Sequence, residues 1–237
     1  MDYKISVADT KYGKIHFLPN DSIRNYFLEK NNMPDEKLVL GLSSYISRSK
    51  VAIDCGANIG AHTILYKHIN PQIRVYAFEP QSVIYNILKM NVGSLKDVNC
   101  YNCAIGNKFG NVFVDPASYS SVSNFGSVQL SSSGKEERVM ISLDMLELDG
   151  CDFLKIDVEG FEIAVVLGAI RTIMKYRPVI FYENNHNTFS KEMSEISGLP
   201  EYKCSNQEVL ALLTGLGYSF QRIKDDYTSD NVLVLPY

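Results

Sequence analysis

The chain contains no Gly-x-Gly-x-x-Gly, so the usual pyrophosphate loop of a dinucleotide domain is missing. Beside Cys100 and Cys103 there is no second Cys-x-x-Cys and no histidine pair to complete a zinc set. Those two thiols read as one cysteine in a strand and one in the turn after it. The 5 cysteines are odd in number and irregular in spacing, which points to reduced thiols rather than a disulfide framework. No apolar run approaches the ~20 residues that span a bilayer, and residues 1–14 are too polar and broken for a secretory signal. Excess positive charge is also lacking. A formal net charge of -4 argues against a nucleic-acid backbone as the main partner. No internal repeat occurs. The expectation is a soluble, cytoplasmic protein without a nucleic-acid partner; its oligomeric state is not legible.

What is present suits one α/β domain. The 237 residues are 46% hydrophobic, enough for a packed core and hardly enough for two. Residues 1–50 read as an N-terminal segment capping the acceptor side, with a strand near Lys14–Leu18 and helical spacing over 22–30 and 35–47. Residues 51–237 read as the catalytic domain. There, short apolar runs alternate with helical patterns. Strands are expected at 51–53, 74–78, 98–101, 152–156 and 179–182, and helices at 61–69, 82–91 and 161–176. Asn111–Val114 reads as a strand of an excursion, and regular patterning resumes at Arg138–Ser142. Between them, residues 115–135 are serine-rich and irregular, a candidate substrate flap. A helix near 206–213 and an antiparallel pair, 218–223 with 232–235, close the chain.

Four strand ends carry the chemistry. The first is Asp54-Cys55-Gly56-Ala57-Asn58-Ile59-Gly60, where two glycines permit a tight turn into a helix. Asn58 replaces the central glycine of a dinucleotide loop. Asp54 repels a pyrophosphate yet suits a ligand bearing an ammonium and a sulfonium. Glu79, before Pro80, ends the second strand and is placed to accept hydrogen bonds from ribose hydroxyls. Cys103, Ala104 and Ile105 follow the third strand, beside the expected adenine. Lys155-Ile156-Asp157-Val158-Glu159-Gly160 ends the fourth, with Lys155 and Asp157 on one face. Asp157 with Glu183 and Asn184 offers oxygen ligands of the kind a divalent cation such as Mg²⁺ takes. His186 is a candidate general base. Together these favour S-adenosylmethionine over a dinucleotide, with Gly56, Ala57, Gly60 and Thr63 also in the cofactor set.

With those motifs in view, the chain resembles the FkbM family of S-adenosylmethionine-dependent methyltransferases. The resemblance rests on Asp54–Gly60, Tyr76–Pro80, Asn102–Gly106 and Lys155–Gly160 with Glu162, and extends from about residue 35 to 185. It implies a class I methyltransferase fold: a seven-stranded, mostly parallel sheet with an antiparallel C-terminal hairpin and helices on both faces. By it, Asp54, Gly56, Asn58, Glu79 and Ala104 take cofactor contacts, and Asp157 with Glu159 adjoins the methyl group. Asn124-Phe125-Gly126-Ser127 resembles a family element near the acceptor, with Asn124 and Ser127 as substrate candidates beside Glu183 and His186. The implied reaction is O-methylation of a sugar hydroxyl on a glycan or glycoside. Two rival readings are an NAD-dependent sugar oxidoreductase or epimerase, and a non-catalytic module that keeps the fold.

Overall fold

The computed structural model describes residues 3–115, 118–184, 191–200, 206–224 and 230–237. The chain opens with an antiparallel hairpin of β1 (Ser6–Thr10) and β2 (Gly13–Phe17). The first of these strands has no alternating pattern and is not expected from the sequence. Three short helices follow: α1 (Arg24–Leu28), α2 (Glu36–Gly41) and α3 (Ser43–Ile46). The single helix expected over 35–47 is thus divided, because Leu42 leaves helical geometry at φ -92, ψ 5, flanked by the weak helix formers Gly41 and Ser43.

The central layer then forms by alternation: β3 (Val51–Cys55), α4 (Ala61–Ile69), β4 (Arg74–Phe78), α5 (Ser82–Val92) and β5 (Val98–Tyr101). After β5 the chain leaves the main sheet. The strands β6 (Ala104–Ile105), β7 (Gly110–Val114), β8 (Leu130–Ser131) and β9 (Glu136–Ile141) make a separate four-stranded sheet. The chain returns through β10 (Phe153–Ile156), α6 (Glu162–Leu167), α7 (Ile170–Tyr176), β11 (Val179–Asn184), α8 (Lys191–Ser197) and α9 (Asn206–Gly215). The last hairpin is β12 (Tyr218–Lys224) with β13 (Asp230–Pro236).

The main sheet has the order β12-β13-β11-β10-β3-β4-β5. Its β11-β10-β3-β4-β5 block is parallel, and β13 joins β11 antiparallel. The order reverses between β3 and β10. Ligands of such sheets bind outside the carboxyl ends of the strands at that point. All five residues of β3 are buried, as a central parallel strand requires.

The helix expected over 161–176 is broken after Leu167. An added Cβ at Gly168 would lie 2.0 Å from the carbonyl oxygen of Gly106, so the turn after β6 passes too close for any side chain. Asp144 then caps the resumed helix from outside, accepting from the backbone of Arg171 and Thr172 at 2.9 and 2.8 Å. The apolar core lies on both sheet faces. Phe17, Phe27, Val39 and Ile46 of the N-terminal segment pack into the same cluster as Leu65 and Leu88 of the sheet-covering helices. Cys100 lies in β5 and Cys103 in the turn after it, and burial raises both thiols to about 11.

Candidate active site

The loop after β3 is tied together from beneath. Asp54 is wholly buried. One of its oxygens accepts from the Thr63 hydroxyl at 2.7 Å, and the other lies 3.3 Å from the Lys155 ammonium. Lys155 also donates to the Gly56 carbonyl at 2.6 Å and meets Asp157 at 3.1 Å. Burial opposes the charge of Lys155, but Asp157 and Asp54 outweigh it and raise its pKa above the ordinary lysine value. Asp54, Thr63 and Lys155 thus brace the loop from behind, leaving Asp157 as the more open member of the group. Gly56 has φ +77, and an added Cβ there would lie 1.7 Å from the Asp157 carbonyl oxygen. Only glycine lets these two strand-end loops touch.

Glu79 is 4% exposed. Its two oxygens accept from the backbone N–H groups of Asn58 and Gln81 at 3.1 and 2.9 Å. Burial is the strongest influence on this carboxyl and raises its pKa to about 7 despite those donors. Asn58 sits in the left-handed region at φ 49, and its own carboxamide oxygen accepts from Ile59 N–H at 2.8 Å. Gly60 begins α4 at φ 94 and leaves no room for a Cβ against Leu88 and Val92.

The reacting face holds three carboxyl groups. Ligand atoms of Asp157, Glu159 and Glu183 all lie within 4.8 Å of one another. Glu159 occupies φ 54 and Gly160 φ 96. For glutamate this left-handed backbone is strained, and such strain clusters at functional sites. Burial opposes ionisation of Asp157, but Lys155 and a hydrogen bond from Glu183 hold its carboxyl below the usual value. Glu183 behaves oppositely. The Asp157 charge, then burial, pushes it far above the ordinary glutamate range. The coupling therefore favours one shared proton, on the Glu183 side of the pair. Of the expected cation ligands, Asp157 and Glu183 come together with Glu159; the Asn184 side chain and all of His186 lie outside the described residues.

A cavity of about 180 Å³ opens among these groups, lined by Ala57, Asn58, Glu79, Asn124, Asp157 and Glu183 among others. Beside it is a narrower slot of about 40 Å³ between Pro80, Cys103, Ala104, Val128 and Leu130. The serine-rich stretch walls both. Its Phe125 is fully buried, and the Phe125 carbonyl accepts from the Gln81 carboxamide at 2.9 Å. Ser123 exchanges backbone hydrogen bonds with Ser22 and Asn20 of the N-terminal segment. Asn124 lines the cavity, whereas the Ser127 hydroxyl is spent on the Asn124 carbonyl at 2.9 Å. The sequence pattern assigns no role at the site to Asp35 or Gln81. Asp35 and His62 meet at 3.2 Å on the cavity wall. No local pattern marks that pair, since 27 residues separate its members.

This strand order and this strand-end site define a class I methyltransferase fold. A solved putative caffeoyl-CoA O-methyltransferase from Staphylococcus aureus matches 91% of the chain and 93% of its own, at TM-score 0.52 and 14% identity. An S-adenosylmethionine-dependent O-methyltransferase from Thermotoga maritima matches 98% of this chain and 77% of its own, at TM-score 0.50 and 12% identity. Within that class the chain belongs to the methyltransferase FkbM domain family, whose model matches residues 54–220. The methyltransferase sdnD of Sordaria araneosa is 34% identical over 61 residues, a stretch covering 24% of each chain. Among the described residues, no helix is long and apolar enough to cross a membrane.

Proposed function

We propose that the chain is an S-adenosylmethionine-dependent O-methyltransferase acting on a sugar hydroxyl of a glycan or glycoside. The observation that carries the reading is the sign of charge at the strand ends. Glu79, Asp157 and Glu159 line one cavity, with Glu183 beside Asp157, and among the described residues the only ammonium lining it, Lys155, is 3% exposed and held by Asp54 and Asp157. Such a donor set fits a cationic nucleoside and opposes a pyrophosphate. It therefore weighs against the NAD-dependent alternative, which NADH titration tests directly.

When bound, the cofactor supplies an electrophilic methyl group on a sulfonium. Glu79 is positioned to take ribose hydroxyls, and the apolar slot at Cys103 and Ala104 to take the adenine. The carboxyl groups of the reacting face orient the acceptor, since carboxylates accept from neighbouring sugar hydroxyls. Holding both partners in near-attack geometry is worth ~7–11 kcal/mol. The hydroxyl becomes strongly acidic as its oxygen–carbon bond forms, so a carboxylate of low pKa suffices as base. Asp157 takes that proton; Lys155 keeps it ionised and Glu183 hydrogen-bonds it.

Glu79 sets a pH dependence. Ribose hydroxyls donate best to an ionised carboxylate, so binding favours deprotonation of a group that otherwise titrates near about 7. S-Adenosylhomocysteine affinity is expected to rise several-fold between about pH 6 and pH 8. Calorimetry on Glu79→Gln should show a flat profile, and an equal slope in both proteins counts against this role. Wild-type calorimetry also tests the non-catalytic reading, which expects no heat.

The Asp157–Glu159–Glu183 triad has the donors for a divalent cation as well. We infer that these carboxyl groups clamp the acceptor's hydroxyls directly, a role that oxygen clusters serve as well as cation binding. Exhaustive EDTA dialysis should leave the rate unchanged; a loss restored by Mg²⁺ would assign the triad to a metal. A tritiated-methyl transfer screen over glycans and hydroxylated acceptors, with mass spectrometry of the product, tests the reaction itself.

A further inference from the structure

We propose that a second, larger groove beside the reacting face binds the acceptor, and that the acceptor is amphiphilic: a sugar carrying an apolar aglycone. The identity of the reaction rests on the methyl-transfer reading above; the groove is independent geometry. It measures about 810 Å³, within the range of about 300–1,000 Å³ typical of small-molecule sites. The cavity at the strand ends measures about 180 Å³, too little for donor and acceptor together. The groove runs between the N-terminal helices and the last hairpin, with Tyr26, Leu38 and Tyr45 on one wall and Gln221 and Leu233 on the other. Asp35 lines both spaces. Asp35, which meets His62 at 3.2 Å, is thus a residue the two spaces share.

The lining states the chemistry. Leucine side chains and two tyrosine rings offer apolar surface on which the C–H face of a sugar ring or an alkyl chain packs. Asn32 and Gln221 add uncharged hydrogen-bonding groups. Charge is balanced: Lys30 and Lys37 stand against Asp35 and Glu36, and Glu36 pairs with Lys11 at 2.6 Å. A polyanionic acceptor finds no matching field there. An occupant with a hydroxylated end and an apolar end finds both.

Gly41 supplies a clean probe. It lines the groove, ends α2 without a positive φ, and an added Cβ there meets no atom within 4 Å. Gly41→Trp should fill the groove without disturbing the core, with Gly41→Ala as control. The test titrates octyl β-D-glucoside and octyl β-D-galactoside, below their micelle thresholds, against the methyl NMR signals of Leu38, Leu42 and Leu233. Glucose and octanol alone form the comparison arms. The expected result is saturable shifts with an octyl glycoside, at least about tenfold tighter than either half. Gly41→Trp should weaken that binding about tenfold or more, Gly41→Ala should not, and S-adenosylhomocysteine should bind all three alike. Gln221→Trp, from the opposite wall, repeats the block should Gly41→Trp fail to fold. Two results overturn the proposal: neither octyl glycoside moves those signals, or the filled variants bind as wild type does. Groove binding intact in a wild type that takes no S-adenosylhomocysteine would instead overturn the methyl-transfer reading alone.

Discussion

Asp157→Asn is expected to lower kcat by about 10²–10⁴-fold, the range removed with a positioned base. The asparagine has the same shape, so acceptor and donor should still bind, and KM should change by only a few-fold. The fold should survive, because Lys155 keeps Asp54 at 3.3 Å as a counter-charge. A second consequence follows from the coupling. Glu183 is raised chiefly by the Asp157 charge; with that charge gone, its pKa falls and it ionises more readily. Residual activity in Asp157→Asn should therefore grow with pH as Glu183 becomes the base. The double variant with Glu183→Gln should lose that pH response. Steady-state kinetics from about pH 5 to 9 check both points. A wild-type kcat in Asp157→Asn would remove Asp157 from the chemistry.

Lys155→Met is expected to destabilise the protein by about 3–5 kcal/mol, the cost of leaving a buried charge without its partner. Lys155 is 3% exposed and Asp54 fully buried, so water cannot replace the lost ammonium. The same change frees the Gly56 carbonyl, now held at 2.6 Å, and so loosens the turn that carries Asn58. Adding Asp54→Asn should recover part of the loss, since the orphaned charge disappears. Urea unfolding of the single and double variants measures this coupling. A loss below about 1 kcal/mol in Lys155→Met would mean the ion-pair network contributes little, as surface pairs do.

How much of this was legible beforehand varied with how local the cause was. The helix over 61–69 and the strands over 74–78 and 98–101 were read to the residue, because hydrophobic period and flanking turns specify them within a few positions. The antiparallel closing pair followed from its short link. Strand β1 and the division of the helix over 161–176 were not legible. One depends on pairing with its hairpin partner, and the other on Gly106 passing within 2.0 Å of where a Gly168 side chain would sit. Within the site, the acids were named correctly as strand-end groups, but a sequence cannot distinguish an aspartate that faces a ligand from one that holds up the loop.

The sequence by itself determined the alternation of strand and helix and the order of the loops that meet at one sheet edge. Both follow from short-range pattern and the topology such a pattern permits. Tertiary structure alone decided the state of each ionisable group. Asp54 and Asp157 are the same residue type on neighbouring strand ends, yet one is sealed against Thr63 and Lys155 while the other faces the cavity. Glu183 is pushed toward its protonated form chiefly because the fold sets it against Asp157. The groove between residues 26–45 and 221–233 likewise exists only once distant segments face each other. Charge and shape at a site are sums over neighbours in space, and most of those neighbours are remote along the chain.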